Sequence, residues 1–274
     1  MECSDYLRPR VMFDAIITVL VLNLCGTASA SNHLRILGGR DVAEGEYPFV
    51  VILTTKIGIH QKYHRFCSAS AISERWVLTA GHCVDLVRAT DIFIWSFNFT
   101  TKPENSTSMI DVREIIRHPA YYHFRFSKFA LYNDICLLHV AELTVARYGR
   151  LLAVDHLTMI GLPAKYVGGG LTAPNIRNRT GALQVGEAVI SSCGEDVTVN
   201  IHVMCVTPKC STRTQTAYRG DSGGPLMFED HIIGVCSYGR KSRFVPTSVF
   251  APVSPYIDWI YNVMQKYEEN STKV

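Results

Sequence analysis

Gly220-Asp221-Ser222-Gly223-Gly224-Pro225-Leu226 decides the reading of this chain. Glycines surround one serine, and glycine reaches backbone conformations closed to other residues. They also let a substrate backbone come close. A serine held in such a turn presents an exposed hydroxyl with backbone N–H groups beside it. One loop can thus supply both a nucleophile and an oxyanion site. Gly-Asp-Ser alone would read as an ordinary turn, but the seven-residue string is far more specific. A serine hydroxyl is a poor nucleophile at neutral pH and needs a base. An imidazole base in turn needs a buried acceptor that fixes its tautomer and stabilises the imidazolium.

The heptapeptide resembles the nucleophile loop of chymotrypsin-fold serine proteases. Thr79-Ala80-Gly81-His82-Cys83 resembles the segment that carries that family's catalytic histidine, with Gly81 where a second alanine is usual. Asn133-Asp134-Ile135-Cys136-Leu137-Leu138 resembles the family's Asp-Ile-Ala-Leu-Leu strand, and Ile115-Ile116-Arg117-His118-Pro119-Ala120-Tyr121 matches its lead-in. His82, Asp134 and Ser222 follow in the chymotrypsin order, unlike subtilisins or α/β-hydrolases. The gaps between them are 52 and 88 residues, long enough to bring them from separate loops. The resemblance runs from Ile36 to about Ile260. It implies an all-β fold of two antiparallel six-stranded β-barrels with a C-terminal helix and an active site in the cleft. In that site Ser222 attacks, His82 moves the proton, Asp134 orients His82, and the N–H groups of Gly220 and Ser222 hold the oxyanion. No cofactor and no metal are called for.

The start of the chain reads as a targeting segment. Arg8 and Arg10 precede an apolar run from Ala15 to Gly26, and Ala28-Ser29-Ala30 supplies a small-residue cleavage pattern. Residues 1–30 are therefore expected to be a signal peptide and the protein to be secreted, extracellular and able to hold disulfides. Arg35-Ile36-Leu37-Gly38-Gly39 resembles the family's zymogen cleavage site. The resemblance implies a propeptide at 31–35, cut after Arg35 by a trypsin-like protease. The freed Ile36 ammonium would then insert beside Asp221. The peptidase domain would span 36–274, with one barrel over about 36–152 and the other, with the terminal helix, over about 153–269.

The composition fits this reading. Of 274 residues, 47% are hydrophobic, enough for a well-filled core. A net charge of +3, with no basic cluster interleaved with aromatics, argues against nucleic-acid partners. Short apolar runs such as Phe49-Val50-Val51-Ile52-Leu53 and Ile232-Ile233-Gly234-Val235 read as strands. From Ser254 to roughly Glu269 the pattern is helical, with Ile257, Ile260, Val263, Met264 and Tyr267 on one side for core packing rather than membrane binding. A monomer acting on protein or peptide substrates, and open to protein protease inhibitors, is expected.

Seven of the nine cysteines follow the signal segment. The resemblance pairs Cys67 with Cys83 and Cys193 with Cys205, with Cys210 a competing partner. Cys136 and Cys236 read as buried thiols. Two family disulfides are missing, as Tyr218 and Phe228 indicate, and Gly168-Gly169-Gly170 lies near where Gly-Trp-Gly is usual. Sequons at Asn98, Asn105, Asn178 and Asn270 are candidate glycosylation sites. His60 and His64 lack a third ligand and read as surface residues rather than a zinc site. By the resemblance, Thr216 forms the floor of the primary pocket, and Gly239 and Ser248 its walls. An uncharged floor predicts cleavage after large apolar or aromatic residues, or after medium-sized aliphatic ones if Ser248 narrows the pocket. The competing class is a non-catalytic secreted protease homologue that binds partners or acts as a decoy.

Overall fold

The apolar runs are buried along their whole length, because each strand faces a barrel interior on one side and a covering element on the other. The computed structural model describes residues 36, 39–58, 62–100, 109–123, 131–170, 181–194, 202–209, 215–240 and 246–271. The expected signal segment, the expected propeptide with Arg35, and His60, Asn105, Asn178 and Cys210 lie outside the described residues.

Sixteen strands are described. They begin with β1 (Arg40–Asp41), β2 (Val50–Ile57), β3 (Lys62–Ser73), β4 (Trp76–Thr79), β5 (Ile92–Trp95) and β6 (Met109–Arg117). Next come β7 (Tyr122–His123), β8 (Leu131–Tyr132), β9 (Cys136–Val140) and β10 (Arg150–Leu151). The last six are β11 (Pro163–Gly168), β12 (Gln184–Ser191), β13 (Met204–Pro208), β14 (Pro225–Phe228), β15 (His231–Arg240) and β16 (Thr247–Pro252). Helix α1 (Ile257–Ser271) follows a 3₁₀ turn at Ser254–Tyr256, so the helical pattern read from Ser254 opens with a tighter turn.

Strands β2-β3-β4-β9-β6-β5 close the first barrel. Strands β12-β11-β14-β15-β16-β13 close the second, through the pairing of β12 with β13. Every pair within either barrel is antiparallel. This is the two-barrel, one-helix architecture that the resemblance implied.

The first barrel packs around Phe49, Ile94, Trp95, Leu78, Leu137 and Leu138, all essentially without solvent contact. The second packs around Tyr166, Ile190, Leu226, Ile233 and Phe250. Each such side chain contributes about 1.5–3 kcal/mol by leaving water. Disulfides Cys67–Cys83 and Cys193–Cys205 are present. Cys136 and Cys236 are free and buried. Burial pushes both thiols well above the usual cysteine value, which keeps them unreactive.

Two segments cross between barrels. Strand β1 pairs with β12, and α1 packs on the first barrel, where Tyr267 meets Trp76 edge to face with ring centroids 5.1 Å apart. Among the described residues no helix is long and apolar enough to cross a membrane.

Candidate active site

His82 sits on a 3₁₀ turn, Gly81–Val84, directly after β4. The turn is pinned by the Cys67–Cys83 disulfide. Asp134 lies between β8 and β9, just after Asn133, whose φ of 49° is one that asparagine tolerates. The Asn133 side chain donates to Ala120 O at 2.7 Å and accepts from the Tyr256 hydroxyl at 3.0 Å, fixing that turn between the two lobes. Asp134 is buried and accepts from His82 Nδ1 at 2.8 Å and from the His82 backbone N–H at 2.8 Å. The Ser237 hydroxyl donates to the same carboxylate.

Burial pulls the His82 imidazolium down, but the Asp134 charge and hydrogen bond outweigh it, so its pKa lies above the ordinary histidine value. Burial pushes Asp134 up, and the His82 charge and the hydrogen bonds from His82 and Ser237 more than offset this, so it stays ionised. An ionised, buried acceptor holding one imidazole nitrogen leaves Nε2 free to take a proton.

Ser222 follows the turn that the sequence singled out. Gly220 and Gly223 both have positive φ, 98° and 80°. A Cβ at Gly223 would collide with Thr79 Oγ1 and Ser68 O, so only glycine fits. Two short links bring the loop to the histidine side. Gly223 N–H donates to Cys236 O at 2.7 Å, and the next residue, Ser237, holds Asp134. Ser222 O accepts from Ser68 N–H at 2.8 Å, and the residue before Ser68 is Cys67, bridged to the neighbour of His82. The N–H groups of Gly220 and Ser222 make no hydrogen bond among the described residues. No hydrogen bond joins the Ser222 hydroxyl to His82 among them either, a contact that often tightens only with substrate bound.

The three positions that the resemblance assigns to the substrate pocket lie close together. Thr216 and Ser248 are both buried, and their hydroxyls lie 3.3 Å apart. Ala217 N–H donates to Ser248 Oγ at 3.0 Å. Gly239 pairs across the β15–β16 ladder with Ser248, and a Cβ there would strike Ala217 O. The sequence reading missed Ser237 as a partner of Asp134. It also missed why position 81 is glycine: a Cβ there would lie 2.8 Å from the Tyr121 ring. Tyr121 in turn donates to Asp85 Oδ2 at 2.8 Å, which His123 Nδ1 also approaches at 2.8 Å.

The Trypsin family model matches residues 36–260. The chain belongs to the trypsin family. It is 29% identical to mast cell protease 2 of Meriones unguiculatus over 256 residues, 90% of this chain and 97% of that protein. It is 28% identical to anionic trypsin of Bos taurus over 252 residues, 88% and 96% of the two chains. It is 27% identical to chymotrypsin of Phaedon cochleariae over 235 residues, 83% and 81% of the two.

Asp221 directly precedes Ser222. It is buried, and burial pushes its pKa up to about 7, although Tyr218 N–H and Gly170 N–H each donate to it at 2.9 Å. No cation pairs with it among the described residues. Ile36, still joined to Arg35, is itself fully buried in the cluster that holds Tyr166, Ala217 and Cys236. A carboxyl whose folded pKa exceeds its unfolded value binds protons more tightly when folded. Its contribution is complete below about pH 4 and is lost as pH rises through about 7. The uncleaved chain carrying Ser222→Ala should therefore lose stability relative to the same chain with Asp221→Asn added. The gap between the two should move by on the order of 4 kcal/mol between pH 4 and 8. Urea titrations at each pH measure it, and a gap that stays constant would exclude an unpaired buried carboxyl.

Proposed function

We propose that this protein is a secreted serine endopeptidase, made as a zymogen and chymotrypsin-like rather than trypsin-like in specificity. The observation that carries the reading is the buried Asp134 carboxylate holding His82 Nδ1 at 2.8 Å, tied through Ser237 and Cys236 to the Ser222 loop. Membership of the trypsin family and the unengaged N–H groups of Gly220 and Ser222 support it.

In this reading Ser222 Oγ attacks the scissile carbonyl carbon and its proton passes to His82 Nε2. The carbonyl oxygen takes the negative charge and rests against the Gly220 and Ser222 N–H groups. The C–N bond breaks as His82 gives its proton to the departing amine. Water then attacks the acyl-enzyme carbon, losing a proton to His82, and Ser222 leaves with that proton as the acid product departs. Asp134 stays ionised throughout and fixes the tautomer. Asp221 lies within the Gly220–Ser222 segment and has no cation partner among the described residues while Ile36 is peptide-linked. Cleavage after Arg35 by a trypsin-like protease would place the Ile36 ammonium within the same buried cluster, where a charge pair orders the loop. The signal segment directs export, and Asn98, which is exposed and accepts from Thr100 Oγ1 at 3.1 Å, is a glycan acceptor in this reading. Asn105, Asn178 and Asn270 are the others.

The decoy alternative is separated by labelling. Protein beginning at Ile36 should react with a fluorophosphonate probe, and Ser222→Ala, His82→Ala and Asp134→Asn should each lose about 10⁴-fold or more in peptidase turnover. Near-normal turnover by Ser222→Ala would sink the assignment.

Activation is tested with Arg35→Gln. This uncleavable chain should be nearly inactive beside protein that starts at Ile36. Equal activity of the two would remove the ion-pair mechanism.

Specificity follows from the pocket floor. The hydroxyls of Thr216 and Ser248 share one hydrogen bond and carry no charge, so a buried substrate cation would go unpaired at a cost of several kcal/mol. A peptide library should show cleavage after large apolar or aromatic residues, narrowing to medium aliphatic ones if Ser248 limits the depth. Dominant cleavage after Arg or Lys refutes this account of Thr216.

A further inference from the structure

Ser68 is fully buried on β3 and lies outside the triad, yet its groups touch the nucleophile loop at two points. Its hydroxyl donates to Gly220 O at 2.8 Å and accepts from Gly169 N–H at 3.0 Å. Its backbone N–H donates to Ser222 O at 2.8 Å. The hydroxyl has one hydrogen, and it is committed to Gly220.

The geometry points to Ser68 as a positioning residue for catalysis, whose buried hydroxyl holds the oxyanion-binding turn in its working orientation. Two peptide planes meet at Gly220, and with a φ of 98° this residue offers little intrinsic resistance to their reorientation. The plane between Gly220 and Asp221 is held at one end by Asp221 N–H donating to Tyr218 O at 3.0 Å. Ser68 Oγ holds the other end. Its link to Gly169 ties the plane to the glycine run of 168–170, whose next N–H, from Gly170, binds Asp221. Oxyanion donors work only if they already point where charge will develop. A turn freed at Gly220 O can rotate those donors away without changing how the substrate sits in the ground state. Tyr218 occupies this stretch without a covalent brace, so hydrogen bonds share the restraint with the charge pair formed on cleavage.

The inference rests on the peptidase reading, and the experiment keeps their failures apart. Protein beginning at Ile36 is first treated with a fluorophosphonate probe. Absence of labelling at Ser222 in the wild type would overturn the peptidase reading, and this one with it. In protein that labels, kcat and KM for a cleaved library peptide are compared between wild type, Ser68→Ala and Ser68→Cys. Inhibition by a peptidyl boronate, which forms a tetrahedral adduct, is compared with binding of a non-cleavable peptide of the same sequence. Ser68→Ala should lower kcat by about 10- to 100-fold with KM within about threefold. The boronate should weaken in proportion while the non-cleavable peptide binds as before. Ser68→Cys fills the space with a weaker hydrogen-bonding group and should show the same split, so it decides the matter if Ser68→Ala does not fold. Unchanged kcat in a folded variant overturns the proposal. Equal weakening of boronate and peptide, the mark of a merely structural role, does so too.

Discussion

One hydrogen bond across the seam, from Ser68 N–H to Ser222 O, sets the distance between the two halves of the site. On its first-barrel side, one residue along β3, Cys67 is bonded to Cys83 and so to the turn of His82. On its second-barrel side, Gly223 is bonded to Cys236, and Ser237 reaches back to Asp134. The circuit closes on itself. Neither barrel could shift against the other by an ångström without breaking it, and misplacement on that scale costs about 100-fold in rate in well-oriented sites. The rest of the fold is what holds the circuit rigid.

The circuit surrounds a charge that water does not reach. Asp221 is packed against the run Gly168-Gly169-Gly170, and a Cβ at Gly170 would sit 2.6 Å from its carboxylate oxygen. At Gly169 a Cβ would collide with Ile52 Cδ1. The first barrel's own core thus fills the space into which a larger side chain would project, which accounts for glycine there. Close backbone packing is what supplies Asp221 with amide donors, and it is also what excludes solvent and drives the carboxyl up.

The pairing of His82 with Asp134 was legible because each lies in a local string whose residue types are dictated by chemistry. Both disulfides were legible through the resemblance carried by neighbouring strings. Ser68 was not, since β3 carries three serines, Ser68, Ser70 and Ser73, and no local pattern separates them. Its partners Gly169 and Gly220 lie 101 and 152 residues away, contacts that no local pattern encodes. Gly81 stood out as a departure, but its cause, the ring of Tyr121, is tertiary. The strands themselves announced their burial through continuous apolar runs. The pairing of β1 with the far barrel left no such trace, because two exposed polar residues, Arg40 and Asp41, carry no hydrophobic pattern.

That pairing has a consequence for how the chain comes to be folded at all. Asp41 meets Gln184, 143 residues later, while the last helix covers Trp76 and His118 of the opposite lobe. Each barrel is finished by the other's end of the chain. As the polypeptide leaves the ribosome, the first barrel has its strands but not its cover until residues near 260 emerge. The second lacks a border strand unless the beginning of the chain swings across. Contacts of such long sequence separation form late, because closing the intervening loop costs entropy before anything is gained. Severing the chain near Leu152 would therefore yield two incomplete lobes rather than two domains.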